Sequence, residues 1–282
     1  MKRIAGAVLF ALMAFAANSV LCRMALRQSH IDPTSFTSIR LLAGAITLWV
    51  LVRARSRPVE NLSGSWSSAA ALLAYAVAFS FAYVELAAGT GALLLFGAVQ
   101  VVMIAGGVIA AERIDNVVIC GWSLAAGGLV LLLLPGVTAP AGLDASFMLL
   151  AGLAWGIYSL RGRRSKDALT DTAGNFVRAA PGALLMSIFL PVHRFADLDG
   201  IVLAALSGSV ASGLGYAAWY TALPKIGAIA AANAQLAVPV IAALAGVLLF
   251  NEPITTRLVL SSMLVLGGSA VAVRRSVATR GV

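Results

Sequence analysis

The groups of this chain that could do chemistry are polar side chains set inside long apolar runs: Asn18, Arg40, Glu85, Gln100, Tyr158, Arg178, Tyr216, Tyr220, Asn233 and Gln235. A polar group in hydrocarbon is costly unless it faces a cavity or a partner, so each is a candidate for binding or gating. What they offer is recognition by hydrogen bond, charge and aromatic face. No nucleophile, base and orienting group come together within the runs. No HExxH, GxSxG, CxxC or phosphate-loop pattern occurs, and the two histidines, His30 and His193, lie at the ends of apolar runs. An enzyme, a metal site and a bound cofactor are therefore not expected.

The elements that must hold these groups follow from composition. The chain has 282 residues, 61% hydrophobic and 11% charged, with a mean hydropathy of +0.96, against ~45–50% apolar and ~25% charged in soluble domains. That excludes a water-soluble globule and a disordered chain. Two cysteines, Cys22 and Cys120, do not make a disulfide scaffold. Runs of the ~17–25 residues needed to cross a hydrocarbon layer number ten, at about 4–22, 34–52, 68–88, 91–111, 117–134, 145–161, 173–192, 200–222, 226–250 and 257–273. Small residues four apart, such as Gly208 and Ser212 or Ala242 and Gly246, let helix backbones approach closely. The short alternating segments of a membrane β-barrel are missing. Lys2-Arg3 ahead of run one, with Ala14-Phe15-Ala16 inside it, also fits a cleavable leader.

The formal charge of +9 has a geometric explanation. Fourteen of the 20 basic residues fall in the two tails and the even-numbered connections, among them Arg53, Arg55, Arg57, Arg161, Arg163, Arg164 and Lys166; four, Arg23, Arg27, Arg194 and Arg257, fall on the other side. Lys and Arg accumulate in cytoplasmic loops, so both termini are expected in the cytoplasm and the protein in the inner membrane. No aromatic-interleaved basic surface accompanies the clusters, and no nucleic-acid partner is expected.

The halves also resemble each other at a nearly fixed offset. Glu112 and Glu252 are 140 residues apart, as are Gly127-Gly128 and Gly267-Gly268; Arg40 and Gly44 pair with Arg178 and Gly182 at 138; Ala82-Tyr83 and Gly91-Ala92 pair with Ala218-Trp219 and Gly227-Ala228 at 136. With five runs per repeat the second enters the membrane from the opposite side, as in transporters built from inverted repeats. The expected fold is all-α and polytopic, with ten transmembrane helices: a first repeat at 1–135, a linker at 136–144 and a second repeat at 145–282. Run one is expected to be retained, because removing it would leave run six without a partner.

These features together resemble the drug/metabolite transporter superfamily in its ten-helix exporter branch. The residues that carry the resemblance are an Arg in the second helix of each half, the segments Ala82-Tyr83-Val84-Glu85-Leu86-Ala87 and Ala218-Trp219-Tyr220-Thr221-Ala222-Leu223, the Gly-Ala openings of helices four and nine, and Asn251-Glu252-Pro253. Helix one departs from the pattern, with Ala16-Ala17-Asn18 where the family often has Trp-Gly-x-Asn, whereas helix six keeps Trp155-Gly156. The resemblance implies a carrier that exports amino acids or related small metabolites by alternating access, with helices one, three, four, six, eight and nine around a central cavity.

On that arrangement the substrate-cavity candidates are Asn18, Phe79, Tyr83, Phe96, Gln100, Trp155, Tyr158, Tyr216, Asn233 and Gln235. Gln100 shares a face with Phe96, Met103 and Gly107, and either binds ligand or bonds between helices. Asn233 and Gln235 precede Pro239, whose ring removes a backbone bond from helix nine. Tyr75, Phe79 and Tyr83 recur at helical spacing and form an aromatic wall if they face the cavity. Arg40 and Glu85 are expected either to pair as an outer gate or to reach the headgroups separately, with Arg178 in the related place at the inner side. Glu85 is the only acidic residue within a run, so it carries any proton coupling or transport is facilitated. The expected partners are a small-molecule substrate, most simply a hydrophobic or aromatic amino acid, and the lipid bilayer, with the chain acting as a monomer; the alternative is multidrug or quaternary-ammonium efflux.

Overall fold

The computed structural model describes residues 2–28, 30–55, 62–109, 116–134, 140, 142–162, 165–190, 193–222 and 234–278. Its named elements are all helical: α1 (Lys2–Arg27), α2 (Pro33–Arg53), α3 (Trp66–Ala82), α4 (Ala88–Ile109), α5 (Asn116–Leu133), α6 (Gly142–Gly162), α7 (Ala168–Phe189), α8 (Leu198–Leu206), α9 (Ala237–Phe250) and α10 (Thr256–Ala278). A π-helical stretch, Ser207–Leu214, continues α8, and the rod runs on to Ala222. Five helices among the described residues are long and apolar enough to cross a membrane: Ile4–Arg27, Pro33–Arg53, Asn116–Leu133, Gly142–Gly162 and Leu198–Ala222. Large apolar side chains such as Ile46, Leu185, Phe189 and Leu248 stand exposed on the outside of the bundle, a surface that suits lipid and not water.

Local chemistry sets the helix ends. Pro33 follows Asp32, whose carboxylate accepts from the backbone N–H groups of Thr34 and Ser35, and Asp167 and Asp197 cap α7 and α8 in the same way. Each such cap contributes about 1 kcal/mol. Run three ends early: α3 stops at Ala82, and Tyr83, Val84 and Glu85 form a turn. Glu85 is thus exposed in a connection, which corrects its placement within run three. Ala234 and Gln235 are helical, Leu236 is a turn residue with helical backbone angles, and Pro239 lies in the first turn of α9 that follows, so its ring, which can donate no N–H, coincides with a break between two helical stretches.

The helices pack in a reciprocal pattern. α5 lies against α10, α2 against α7, and α3 and α4 against α6, while α1 lies against α8, its π segment and α9. At the α5–α10 contact a Cβ on Gly128 would overlap the carbonyl of Ser261, and a Cβ on Gly268 would overlap the carbonyl of Gly121. Both pairs are related by the same offset of 140. The connections sort to two ends: Ile31 bridges Ala196 and His30 meets Asp197 at 2.7 Å at one, and Arg55 meets Asp167 at 2.7 Å at the other.

Candidate functional site

An aromatic file runs through the bundle. Tyr158 stacks on Trp155 at 5.5 Å, Trp155 meets Tyr75 at 5.0 Å and Tyr216 at 4.9 Å, Tyr75 meets Phe79 at 5.3 Å, and Phe79 meets Tyr83 edge-on at 4.7 Å. Contacts of this kind contribute about 0.5–1.5 kcal/mol each beyond burial. The i, i+4 spacing lays Tyr75 and Phe79 along one face of α3, Tyr83 continues the file from the turn that follows, and Trp155 and Tyr158 reach it from α6. Phe15 of α1 closes the cluster, edge-on to Trp155, Tyr216 and Trp219.

At the middle of the file is a cavity of about 20 Å³ lined by Phe15, Asn18, Ser19, Tyr75, Phe79, Leu95, Phe96, Trp155, Ala211 and Tyr216. It has room for about one water molecule, so the centre of the bundle is closed in this conformation. Five expected residues come together here: Asn18, Phe79, Phe96, Trp155 and Tyr216. Tyr83 does not join them; it is buried at one end of the file, packed over Gly91 with its hydroxyl donating to the Ala88 carbonyl at 3.3 Å. Gln100 is buried and Gln235 half-buried, and neither is among the residues lining this cavity. Asn233 lies outside the described residues.

Two larger cavities flank the centre. One, of about 210 Å³, opens at the Arg161 end and includes Ser65, Ser68, Tyr158, Arg161, Asp171, Thr172, Asn175 and Tyr220. Tyr158 belongs to this vestibule, where its hydroxyl accepts from Asn175 Nδ2 at 3.4 Å. Arg161 donates to Ser67 and Ser68, and Asp171 accepts from Ser165. The vestibule thus offers a cation, an anion and an amide beside an aromatic entrance. The other, of about 430 Å³, lies at the opposite end and includes Glu85, Thr90, Glu252, Pro253 and Thr255.

Between that second cavity and the centre stands a charged clasp that the sequence does not announce. Arg23 Nε meets Glu252 Oε1 at 3.4 Å, and Arg23 Nη1 donates to the carbonyls of Tyr83 at 3.2 Å and Val84 at 2.6 Å, the open carbonyls at the end of α3. Glu252 Oε2 accepts from the Ala88 N–H at 2.8 Å, the first of α4. A cation on a helix C-terminus and an anion on a helix N-terminus each complement the backbone dipoles. Asn251, in the left-handed region at φ 52°, turns Glu252 back over α9, and Gly246 leaves room for its carboxylate. Four helices, α1, α3, α4 and α9, are tied at this end. The signal was legible only in part: Asn251-Glu252-Pro253 marked the repeat, but nothing in it pointed to Arg23.

The expected pair of Arg40 and Glu85 does not form. Arg40 is wholly buried; its Nε donates to Ser212 Oγ at 3.3 Å and its Nη2 to the Tyr75 hydroxyl at 2.9 Å. Its guanidinium lies over the rings of Tyr75 and Phe79, 5.1 and 4.9 Å from their centroids. The physical reason is packing: Gly208 brings the π segment against the Arg40 carbonyl, which seals the side chain inside and away from the headgroups. Residues five apart share a face where the bonding is i→i+5, so Ser207 reaches Asn18 at 2.6 Å and Ser212 reaches Arg40. Arg178 is no structural equivalent: it donates to the Ser63 and Gly174 carbonyls and faces Trp66. Tyr75, Ser207 and Ser212 were missed as site residues, although the aromatic stripe contained Tyr75.

Comparison with known proteins adds four findings. A family model described as the EamA-like transporter family matches residues 143–274. An uncharacterized protein of Pseudomonas aeruginosa is 52% identical over 92% of this chain and 91% of its own, and a protein of Archaeoglobus fulgidus named as an uncharacterized transporter is 30% identical over 71% and 73%. A solved crystal structure superposes with a TM-score of 0.69 over 96% of this chain and 98% of its own, at 18% identity, a likeness of fold.

Proposed function

This chain belongs to the EamA-like transporter family of the drug/metabolite transporter superfamily, multi-pass membrane proteins that carry small molecules and are not enzymes, and on that premise we propose that it exports amino acids, hydrophobic or aromatic ones among them, across the cytoplasmic membrane by alternating access. Ten spans in two inverted halves, 1–135 and 145–282, move against each other about the aromatic cavity. Both termini are cytoplasmic, so the Arg161 vestibule faces the cytoplasm and the Arg23–Glu252 clasp faces outward.

The observation that carries this reading is the cavity itself. Residues from the first half (Phe15, Asn18, Tyr75, Phe79) and from the second (Trp155, Tyr216) meet around it, at the repeat interface where inverted-repeat carriers bind substrate. The reciprocal contacts of Gly128 with Ser261 and Gly268 with Gly121 support the two-fold relation of the halves. The conformation is closed outward by the clasp and open inward at the vestibule, where Arg161 and Asp171 offer complements to a carboxylate and an ammonium. Substrate passes Tyr158 and Trp155 to the centre; release requires the clasp to part. The buried carboxylates among the described residues, Asp32 and Glu252, are held by hydrogen bonds or an ion pair, which favours facilitated export over a proton relay.

Reconstitution in liposomes tests the proposal. Flux is measured for a panel of amino acids and cationic dyes, with and without a pH gradient. Amino-acid flux that survives collapse of the pH gradient is the expected result. No amino-acid flux, or flux of the dyes alone, overturns the assignment, and loss of flux with the gradient overturns the facilitated mechanism.

A further inference from the structure

Among the described residues two arginines are buried within the bundle, and the protein treats them differently. Arg23 has a carboxylate and two backbone carbonyls. Arg40, at 1% exposure, has two hydroxyls and two ring faces. Among the described residues its Nη1 has no hydrogen-bond partner and no carboxylate forms an ion pair with it. A buried charge without a counter-charge is strongly unfavourable, and a buried N–H without an acceptor adds to that. The described residues supply only part of what Arg40 requires.

The missing part is indicated by Tyr75. Its hydroxyl accepts from Arg40 Nη2 at 2.9 Å and from Asn18 Nδ2 at 3.2 Å. A phenolic oxygen has two acceptor positions and one proton, so with both filled the proton is left to donate. Tyr75 and Asn18 both line the central cavity. A hydroxyl that accepts from a guanidinium is a polarised donor, and the partner it suits is an anionic oxygen. The opposite charge is disfavoured at the same place: the guanidinium already lies over Tyr75 and Phe79, and a second cation on these rings would be repelled.

We propose that Arg40, acting through Tyr75, is the carboxylate anchor of the central cavity, so that the transported molecule must carry a carboxylate or equivalent anionic group and a bare cation is refused. The inference rests on the cavity being the substrate site. It deepens that reading by selecting anionic and zwitterionic substrates over quaternary ammonium compounds. The rest of the lining, Phe15, Leu95, Phe96, Trp155 and Tyr216, then receives the apolar body.

The test uses three probes with the same ring: 3-phenylpropanoate, phenylalanine and phenethylamine, titrated against the purified full-length protein by calorimetry, with the liposome fluxes measured alongside. Both carboxylates should bind and phenethylamine should not. Tyr75→Phe, which keeps the ring and removes the hydroxyl, should weaken carboxylate binding about tenfold to a hundredfold, the range for a lost charge-assisted hydrogen bond, while circular dichroism confirms that the variant is folded. Arg40→Lys keeps a charge without the planar fork and should weaken it as well. Binding of phenethylamine as tight as that of 3-phenylpropanoate, no binding of either carboxylate, or unchanged affinity in Tyr75→Phe overturns the anchor. If some compound still crosses the membrane under any of those outcomes, the transporter reading stands without it; if nothing crosses, that reading falls too.

Discussion

Replacing Glu252 should open the end of the bundle that the Arg23–Glu252 clasp holds. In the closed conformation its carboxylate balances Arg23, which is 6% exposed, and accepts from the Ala88 N–H. Glu252→Ala leaves a buried guanidinium without its counter-charge, at about 3–5 kcal/mol, and a helix-terminal N–H unsatisfied, at about 1–3 kcal/mol. These terms share one site and do not add in full. Water satisfies both groups once the end opens, so the penalty falls on the closed state alone. Taking ~3 kcal/mol, the closed-to-open ratio drops by about two orders of magnitude. Glu252→Gln keeps an acceptor for Ala88 and loses the charge; ~1.5 kcal/mol, or about tenfold, is expected. The assay is the rate at which an impermeant maleimide added outside labels Ser19→Cys, a cavity position, in protein lacking Cys22 and Cys120. Rates should rise in the order parent, Gln, Ala. Labelling of Glu252→Ala at the parent's rate would refute the reasoning.

Two further predictions concern stability. Gly268→Ala pushes a methyl group into the backbone of Gly121 and Ala125, whereas Gly267 has nothing within 4 Å of a Cβ; thermal unfolding in detergent should show a loss of about 1–3 kcal/mol for the first and no measurable loss for the second. Equal effects would place the contact elsewhere. Asp32 is pushed up by burial, but hydrogen bonds from Ser35, Thr34 and the Phe195 backbone outweigh that and hold its carboxyl below its ordinary value of 3.8. Its folded pKa is therefore depressed, so its contribution is complete at neutral pH and is lost as pH falls through the folded value. The advantage of the parent over Asp32→Asn in melting temperature should shrink below about pH 4 and hold steady above it; an advantage that grows on acidification contradicts the sign.

The chain discloses much of its architecture before any contact is known. Helix positions, and the aromatic face of α3, follow from run length and periodicity. The sorting of Arg55 and Arg161 from Arg23 and Arg27 follows from the short loops. Gly128 and Gly268 carried the offset that the α5–α10 contact uses. The partnerships were not legible. Arg23 and Glu252 are 229 residues apart, and the bond from Arg40 to Ser212 depends on a π segment that Ser207-Gly208-Ser209 permits but does not dictate. Periodicity assigns a side chain to a face of its own helix; it does not say which neighbour that face meets. For that reason Arg40 was matched with Glu85, the acid expected at the same end.

What the sequence determined by itself is that this chain is a multi-pass membrane protein built of apolar helices. The free energy of moving a segment into hydrocarbon is a sum over its own residues, and needs no knowledge of the others. What only the tertiary structure decided is which buried charge is balanced by another among the described residues. That energy belongs to pairs, falls steeply with distance, and depends on the angle at which each helix is turned. Glu252 pairs with Arg23, whereas Arg40, sealed beneath Tyr75 and Phe79, has no carboxylate partner among the described residues, and it is to this arginine that the proposal assigns a ligand's carboxylate.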